Sequence, residues 1–279
     1  MKVTLWGTRG SLATPGPESV GYGGNTSCVE VRGRDGGVLV LDAGTGIRRF
    51  GDSLGPETTR VDILLTHLHM DHIQGLGFFA PMFESRMEIH VWGPSSTTMD
   101  LRSRLSRYLS PPLFPIGLRD VPCQLEFHDV VSLGGFQIGG FEIRTALVCH
   151  PGPTVGYRIT GDGASVTYLP DHEPSLGANP LIEDTDWISG LELAAGADLL
   201  IHDAQYTAEE YPQHVGWGHS ALPDTIRFAA AASVKRLVLF HHDPSHSDAM
   251  LDGLFEKARS SNDIPFDVIP GIEGASFEL

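Results

Sequence analysis

The segment VDILLTHLHMDHIQG places an apolar strand directly before four side chains that commonly bind metals. His67 and His69 are two positions apart, so an extended chain can point both in the same direction. Asp71 and His72 follow on the turn. Imidazole nitrogens and carboxylate oxygens are donors that zinc, iron and manganese use. Packing does not require such a run, so the segment predicts a metal site at the end of a buried strand.

Short apolar strands, punctuated by glycine and proline, alternate with helical segments along the whole chain. One short helix is predicted after LVLDAG, and four more are predicted in later segments, at about 97–109, 188–195, 222–232 and 247–259. No low-complexity linker and no repeat of fixed period interrupts this alternation. One α/β domain over residues 1–279 is therefore the economical interpretation.

The charge and the cysteines restrict the partners and the compartment. The formal net charge is −16, which disfavours long nucleic acids because these polyanions need a basic patch. Arg102, Arg104 and Arg107 are a local exception, either a solvated helix face or a phosphate-steering group.

No run is apolar enough to span a membrane and no signal peptide is visible, so a cytoplasmic location is expected. The three cysteines show no C-x-x-C spacing, and a homodimer is one of the oligomeric states left open.

The H-x-H-x-D-H motif resembles the signature of the metallo-β-lactamase-fold hydrolase superfamily. Three later residues each end an apolar strand and match further family ligands in the expected order. His150 matches the third histidine, Asp171 the bridging aspartate and His241 the last histidine. This resemblance covers roughly Met1 to Pro244. It implies a four-layer αβ/βα sandwich in which two mixed sheets are flanked by helices.

The resemblance also implies a dinuclear centre with two divalent metal ions. Zinc is the first choice, and manganese and iron share the same ligands. Asp171 would bridge the ions together with a hydroxide, and Asp71 counts among the catalytic residues as well as the ligands. The remaining ligands divide into two sets, with His67, His69 and His150 on one ion and Asp71, His72 and His241 on the other.

Two further segments resemble the phosphodiesterase branch of this superfamily, which includes ribonuclease Z and small cyclic-phosphate phosphodiesterases. In ADLLIHDAQY, Asp203 stands where that branch has Glu, and in GWGHSALPD, His219 matches the histidine that protonates the leaving group. Ala221 departs from the motif, which has Thr. The resemblance assigns Asp203 to orient His219, which would then supply a proton to a leaving alkoxide.

The spacing of the later ligands bears on the substrate. Ribonuclease Z enzymes of the bacterial and archaeal type carry a long tRNA-gripping arm between the third histidine and the bridging aspartate. Here His150 and Asp171 are 21 positions apart (171 − 150), which leaves room only for a hairpin. A small phosphodiester is therefore the expected substrate, with no long nucleic acid and no membrane as partner.

The glycine-rich loop at 9–26 and two other histidines supply secondary candidates. Arg9 and Asn25 are candidate substrate contacts, and a role in folding the loop is an equal alternative. His172 and His242 each follow a predicted ligand and have either a supporting or a purely structural role.

The leading hypothesis is a dinuclear phosphodiesterase in which a metal-bridging hydroxide attacks a small phosphodiester, cyclic phosphodiesters included. One alternative is a thioester or lactone hydrolase of the same fold. Another, from a different class, is a metal-containing binding module without turnover. A β-lactamase is disfavoured, because Asp171 stands where those enzymes usually have Cys or Ser.

Overall fold

Two seven-stranded sheets stack face to face in the computed structural model, which describes residues 1–131, 133–176, 187–260 and 264–279. The first sheet contains β1 (Lys2–Gly7), β2 (Cys28–Arg32), β3 (Val38–Leu41), β4 (Arg60–Leu64), β5 (Glu88–Pro94), β6 (Gln124–Val130) and β14 (Ser276–Glu278). The second contains β7 (Leu133–Ile138), β8 (Phe141–Leu147), β9 (Val155–Gly161), β10 (Ala164–Leu169), β11 (Leu199–Asp203), β12 (Arg236–Phe240) and β13 (Asp267–Pro270).

Both sheets are mixed, as expected. The first has the order β14-β1-β2-β3-β4-β5-β6 and is parallel from β3 to β6. The second has the order β13-β12-β11-β10-β9-β8-β7 and is parallel from β10 to β13. The apolar runs noted in the sequence form most of these strands. The short strands β7, β13 and β14 were not anticipated.

The helices lie on the outer faces of the two sheets. They are α1 (Ile47–Ser53), α2 (Met70–Ile73), α3 (Leu101–Leu105), α4 (Leu191–Ala194), α5 (Leu222–Ala231) and α6 (Asp248–Arg259). α6 begins where expected, because the Ser247 side chain accepts a hydrogen bond from the backbone of Met250. Among the described residues, no helix combines the length and the apolar character that crossing a bilayer requires.

The predicted helix over 97–109 is much shorter in the structure. It starts after Asp100, whose side chain caps the first turn, and α3 ends at Leu105. Beyond that point, the hydroxyls of Ser106 and Ser110 bond to backbone carbonyls four residues earlier. Such bonds compete with continued helix formation, and a Pro-Pro pair follows.

Three apolar clusters account for the four layers. The central cluster fills the space between the sheets, with Leu5 and Leu41 from the first and Tyr157 and Ile201 from the second, all fully buried. The second cluster packs α1 and α3 against the outer face of the first sheet, and the third packs α4 and α5 against the second sheet. The expected αβ/βα sandwich is therefore confirmed.

A buried arginine ties the long loop near the N-terminus to the segment before α6. Arg9 donates from Nε to the carbonyl of Gly23 at 2.9 Å and from Nη1 to the carbonyl of His246 at 2.7 Å. Its Nη2 lies 3.6 Å from Asp248 Oδ1. Since the side chain has 0% exposure, the bonds from Nε and Nη1 and the ion pair at Nη2 take the place of water and fasten two distant parts of the chain.

We expect Arg9→Met to lower the free energy of unfolding by about 3 kcal/mol, because it removes charged hydrogen bonds and leaves buried carbonyls unpaired. Denaturant unfolding measures the change. Arg48→Met is the matched control, since Arg48 is 67% exposed and should change stability by less than about 0.5 kcal/mol. Equal effects of the two substitutions would contradict this role for Arg9.

Candidate metal centre

Seven side chains from four chain segments converge where the ends of β4, β8, β10 and β12 meet, and all seven predicted ligands are among them. They form two groups that share one carboxylate, and in each group the donor atoms lie within 4.8 Å of one another. The first donor group consists of His67, His69, His150 and Asp171. The second donor group consists of Asp71, His72, His241 and Asp171.

Asp171 directs its two oxygen atoms to different groups. Its Oδ2 lies 3.7 Å from His67 Nε2 and 3.8 Å from His150 Nε2, in the first donor group. Its Oδ1 lies 2.9 Å from His72 Nε2 and 3.2 Å from His241 Nε2, in the second. This division between oxygens is the arrangement that a bridging carboxylate requires.

The remaining donors close each group. His150 Nε2 lies 3.1 Å from His69 Nδ1. In the second donor group, Asp71 Oδ2 lies 3.2 Å from both His72 Nε2 and His241 Nε2. Ligands around a tetrahedral zinc ion stand about 3.3 Å apart, given bonds of about 2.0 Å. These spacings therefore suit donors that surround a common point.

Unsatisfied polar atoms show that the donor set fits metal ions. His67 Nε2, His72 Nε2 and Asp171 Oδ1 are buried and have no hydrogen-bond partner among the described residues. Although His72 Nε2 and Asp171 Oδ1 are close, their geometry is not that of a hydrogen bond. Buried polar atoms without partners cost folding free energy, and a bound divalent cation would satisfy all three.

The protonation states also suit metal binding. Burial alone would raise the pKa of Asp171, but His241, His72 and His67 hold its pKa well below the usual value. Burial lowers the pKa of the His67 imidazole well below its usual value. An ionised carboxylate and a neutral imidazole are the forms that coordinate metals.

Asp42 supports the second donor group and was missed in the sequence. Its carboxylate accepts hydrogen bonds from His72 Nδ1 at 2.8 Å and from the backbone of Thr66 at 2.7 Å. Because Asp42 engages His72 Nδ1, Nε2 is the nitrogen that faces the other donors. Asp42 directly follows β3 and has a φ of 61°, a left-handed conformation that Asp tolerates. In the sequence, Asp42 directly follows the apolar run Val38–Leu41, and this position at a strand end is the pattern that could have marked it as a site residue.

Backbone and amide groups orient two other ligands. Gln205 Oε1 accepts from His241 Nδ1 at 2.9 Å, and the Gly218 carbonyl accepts from His150 Nδ1 at 2.9 Å. The buried carboxylate of Glu173 holds the loop that contains Gly218, because it accepts a hydrogen bond from the Gly218 backbone N–H at 2.8 Å. Neither Gln205 nor Glu173 was singled out in the sequence, because no motif marks them.

Two glycines allow the backbone to approach the ligands closely. A Cβ at Gly10 would lie 2.3 Å from His241 Nδ1, and one at Gly218 would lie 2.2 Å from His150 Nδ1. Gly218 also has a φ of 89°, which favours glycine. The glycine-rich character of both loops thus follows from the packing of the site.

Asp203 and His219 form a pair at the edge of the donor groups. His219 Nδ1 donates to Asp203 Oδ2 at 2.7 Å, and its ring stacks on His241 with centroids 4.9 Å apart. Burial would lower the pKa of His219, but the charge and hydrogen bond of Asp203 raise that pKa to about 9. The imidazole is therefore protonated at neutral pH. Asp203 also accepts from the backbone of Gln205 and Ser220, which fixes its position.

An aromatic rim lies beside this pair. Tyr206 stacks on His214 with centroids 4.3 Å apart, and Trp217 meets His214 edge-on at 4.9 Å. The Tyr206 ring also contacts His219 edge-on at 5.9 Å. Trp217 is 60% exposed, so a planar group could stack there without displacing the core.

The secondary candidates lie outside the cluster. Arg9 bonds backbone carbonyls, as described above, and Asn25 Nδ2 donates to Glu273 Oε2 at 3.0 Å. Both side chains fasten the 9–26 loop through these hydrogen bonds, which accounts for their positions without a bound substrate. The same loop does reach the site through its backbone, since the Ser11 N–H donates to Asp71 Oδ2 at 2.8 Å.

His172 and His242 bond to residues that are not predicted ligands. His172 Nδ1 lies 2.9 Å from His202 Nε2, and His242 Nε2 donates to the Gly271 carbonyl at 2.8 Å. His172 also stays close to the Asp203–His219 pair, because its backbone N–H donates to Asp203 Oδ2 at 3.3 Å. Each of these histidines is buried next to the donor groups and contacts neighbouring protein groups through its ring.

The arginine cluster separates in the structure. Arg104 lies 3.2 Å from Asp129, and Arg102 covers the ring of Phe127. Arg107 lines a cavity of about 590 Å³ together with Leu68 and Met70 of the metal-binding segment. Arg104 lines the same cavity, so Arg104 and Arg107 both lie beside this segment.

Comparison with known proteins agrees with this geometry. A ribonuclease Z from Gemmatimonas aurantiaca is 27% identical over 269 residues, covering 81% of this chain and 83% of that protein. The metallo-β-lactamase-fold protein YhfI from Bacillus subtilis has a TM-score of 0.73 at 19% identity, with 99% of each chain covered. A diphosphatase from the PhnP family has a TM-score of 0.69 at 19% identity, covering 100% of this chain and 96% of that one.

The structural likenesses establish the fold, and the sequence match establishes the family. Residues 38–242 match the family described as "Beta-lactamase superfamily domain", which spans well over half of the chain and includes all seven donors. The resemblance to the phosphodiesterase branch is confirmed by the ribonuclease Z relative. With its family match and its two donor groups, the chain belongs to the β-lactamase superfamily as a metal-dependent hydrolase.

Proposed function

We propose that this chain is a dinuclear phosphodiesterase that cleaves small phosphodiesters, cyclic ones included. One observation carries the proposal: Asp171 offers one oxygen to each donor group, directly beside the Asp203–His219 pair. Two ions about 3.5–4 Å apart suit in-line displacement at phosphorus. A protonated histidine next to them suits the departure of an alkoxide.

The residues would divide the work as follows. Bound divalent ions, zinc preferred and manganese or iron as alternatives, would activate a water and neutralise charge on the phosphate. Asp171 and the six other donors would hold those ions in place. Since Asp203 engages Nδ1 of His219, Nε2 is the nitrogen left to protonate the leaving oxygen. Asp203 keeps the ring oriented and charged.

Three features favour a small substrate over RNA, although relatives include ribonuclease Z. Between His150 and Asp171, β9 and β10 form a hairpin closed by the two-residue turn Asp162–Gly163, which leaves no room for an arm. The formal net charge of −16 disfavours a polyanion. The aromatic rim offers one stacking surface beside His219, which suits a single base or ring.

His219→Ala should slow cleavage of an alkyl phosphodiester by about 10²–10⁴-fold, because a poor leaving group needs the proton. Cleavage of bis(p-nitrophenyl) phosphate should fall far less, since nitrophenolate leaves without protonation. Steady-state turnover on both substrates measures the difference. Equal losses on the two substrates, with unchanged metal content, would rule out a proton-donor role for His219.

Asp171→Asn should reduce the zinc retained after dialysis, because both donor groups lose a charged oxygen. Asp203→Asn makes the same chemical change at a neighbouring buried aspartate outside the two donor groups, so it should keep the wild-type zinc content. Elemental analysis of the purified proteins measures both. Zinc loss in Asp203→Asn but not in Asp171→Asn would show that the bridge is misassigned.

A substrate panel on zinc-replete protein distinguishes the functional classes. We expect turnover of cyclic nucleotides, cyclic ribose phosphates or generic phosphodiesters, and no processing of a tRNA precursor. Faster hydrolysis of thioesters or lactones would favour the alternative enzyme of the same fold. A protein that binds zinc but hydrolyses no ester would be a binding module, and the proposal would fail.

A further inference from the structure

A second cluster of metal-binding side chains lies on β5 and β6, away from the catalytic centre. His90 on β5 pairs in parallel register with Glu126 on β6, and Trp92 pairs with His128. Alternate residues of a strand share a face, so His90, Glu126 and His128 stand together. We call these three residues the strand-edge site, because β6 is the outermost strand of its sheet.

The site lies toward the opposite end of the sheet from the catalytic donors. His90 is adjacent in register to Asp62 on β4, and His67 follows five residues later along the same chain direction. Since β4 ends at Leu64, His67 lies beyond the end of this strand, whereas His90 lies beside its middle residue. The strand-edge site therefore shares no ligand with either donor group.

We propose that the strand-edge site binds a further divalent cation, with zinc as the best match. His90 Nδ1 lies 2.8 Å from His128 Nε2 and 3.7 Å from Glu126 Oε2, and His128 Nε2 lies 3.9 Å from that same oxygen. These separations bracket the value of about 3.3 Å for tetrahedral zinc ligands. Two imidazoles and one carboxylate form a ligand set that zinc accepts, with water in the fourth position.

A carboxylate already prepares His90 for this role. His90 Nε2 donates to Glu88 Oε1 at 2.6 Å, so the lone pair resides on Nδ1, the atom that faces His128 and Glu126. The same carboxylate–histidine arrangement orients imidazole ligands in metal sites generally. In the absence of a cation, the bare Nδ1 accepts the hydrogen bond from His128 instead.

The surrounding charges favour a dication. Asp62, Glu88 and Glu126 carry three negative charges, and Arg60, which pairs with the first two, carries one positive charge, leaving a net −2 (1 − 3). Access is open, because Glu126 is 62% and His128 29% exposed, whereas His90 is 7% exposed and therefore well fixed. The cluster thus combines one rigid ligand with two that can adjust.

A cation here would stabilise the open edge of the sandwich. The His128 ring stacks on Trp92 at 3.9 Å, and Trp92 stacks on Phe136 of β7, the edge strand of the other sheet, at 4.7 Å. Fixing His128 would therefore fix a stack that joins both sheets. This function is structural and does not depend on the proposed phosphodiesterase activity.

Zinc titration of the metal-stripped, tag-free full chain tests the proposal. Wild-type protein should bind one more zinc ion than His128→Gln, and Glu126→Gln should weaken that ion's affinity at least tenfold. Glu142→Gln, which removes another exposed carboxylate, should match wild type. Hydrolase activity should be unchanged in all three variants. Zinc should also raise Tm more in wild type than in His128→Gln.

Equal zinc stoichiometry and affinity in wild type, His128→Gln and Glu126→Gln would overturn the proposal and leave the two imidazoles as a simple hydrogen-bonded pair. Glu126 is largely exposed, so its variant remains informative even if His128→Gln folds poorly. Because the readout is zinc bound rather than turnover, it stays valid whether or not the chain cleaves phosphodiesters.

Discussion

The buried carboxylate of Asp171 is the feature on which the rest of the site depends. It is 2% exposed, and a buried charge is costly unless opposite charges compensate it. Four imidazoles of the two donor groups, from three chain segments, lie within 3.8 Å of it, two beside each oxygen, and His219 Nδ1 lies 4.0 Å from Oδ2. The loops after β4, β8 and β12 must therefore fold around the end of β10, and the stacked sheets bring those strand ends together.

The convergence of the seven candidate ligands could be predicted because each follows an apolar strand, a local pattern that a single sequence displays. The residues that orient these ligands by hydrogen bonds could not be predicted in this way. Asp42 meets His72 across 30 positions and Gln205 meets His241 across 36, so only the tertiary fold reveals these contacts. The strand β7, with sequence LGGFQI, was missed because its adjacent glycines weaken the alternation of apolar and polar residues.

The two proposed metal-binding regions lie at different places along the strands. The donors of the two groups sit at one end, in loops and on α2, where Gly10 and Gly218 admit close backbone contacts. The strand-edge site and its aromatic stack lie toward the other end, on residues of regular strand. In the proposed function, the Asp203–His219 pair sets the site apart from one that only holds metal, since an oriented imidazolium would serve a leaving group.

The most direct test of the shared carboxylate is a crystal structure of zinc-loaded protein with anomalous diffraction recorded at the zinc edge. Two peaks about 3.5–4 Å apart are expected in the catalytic centre, each in contact with a different oxygen of Asp171. A single peak there, or two peaks of which Asp171 contacts one, would contradict the dinuclear arrangement.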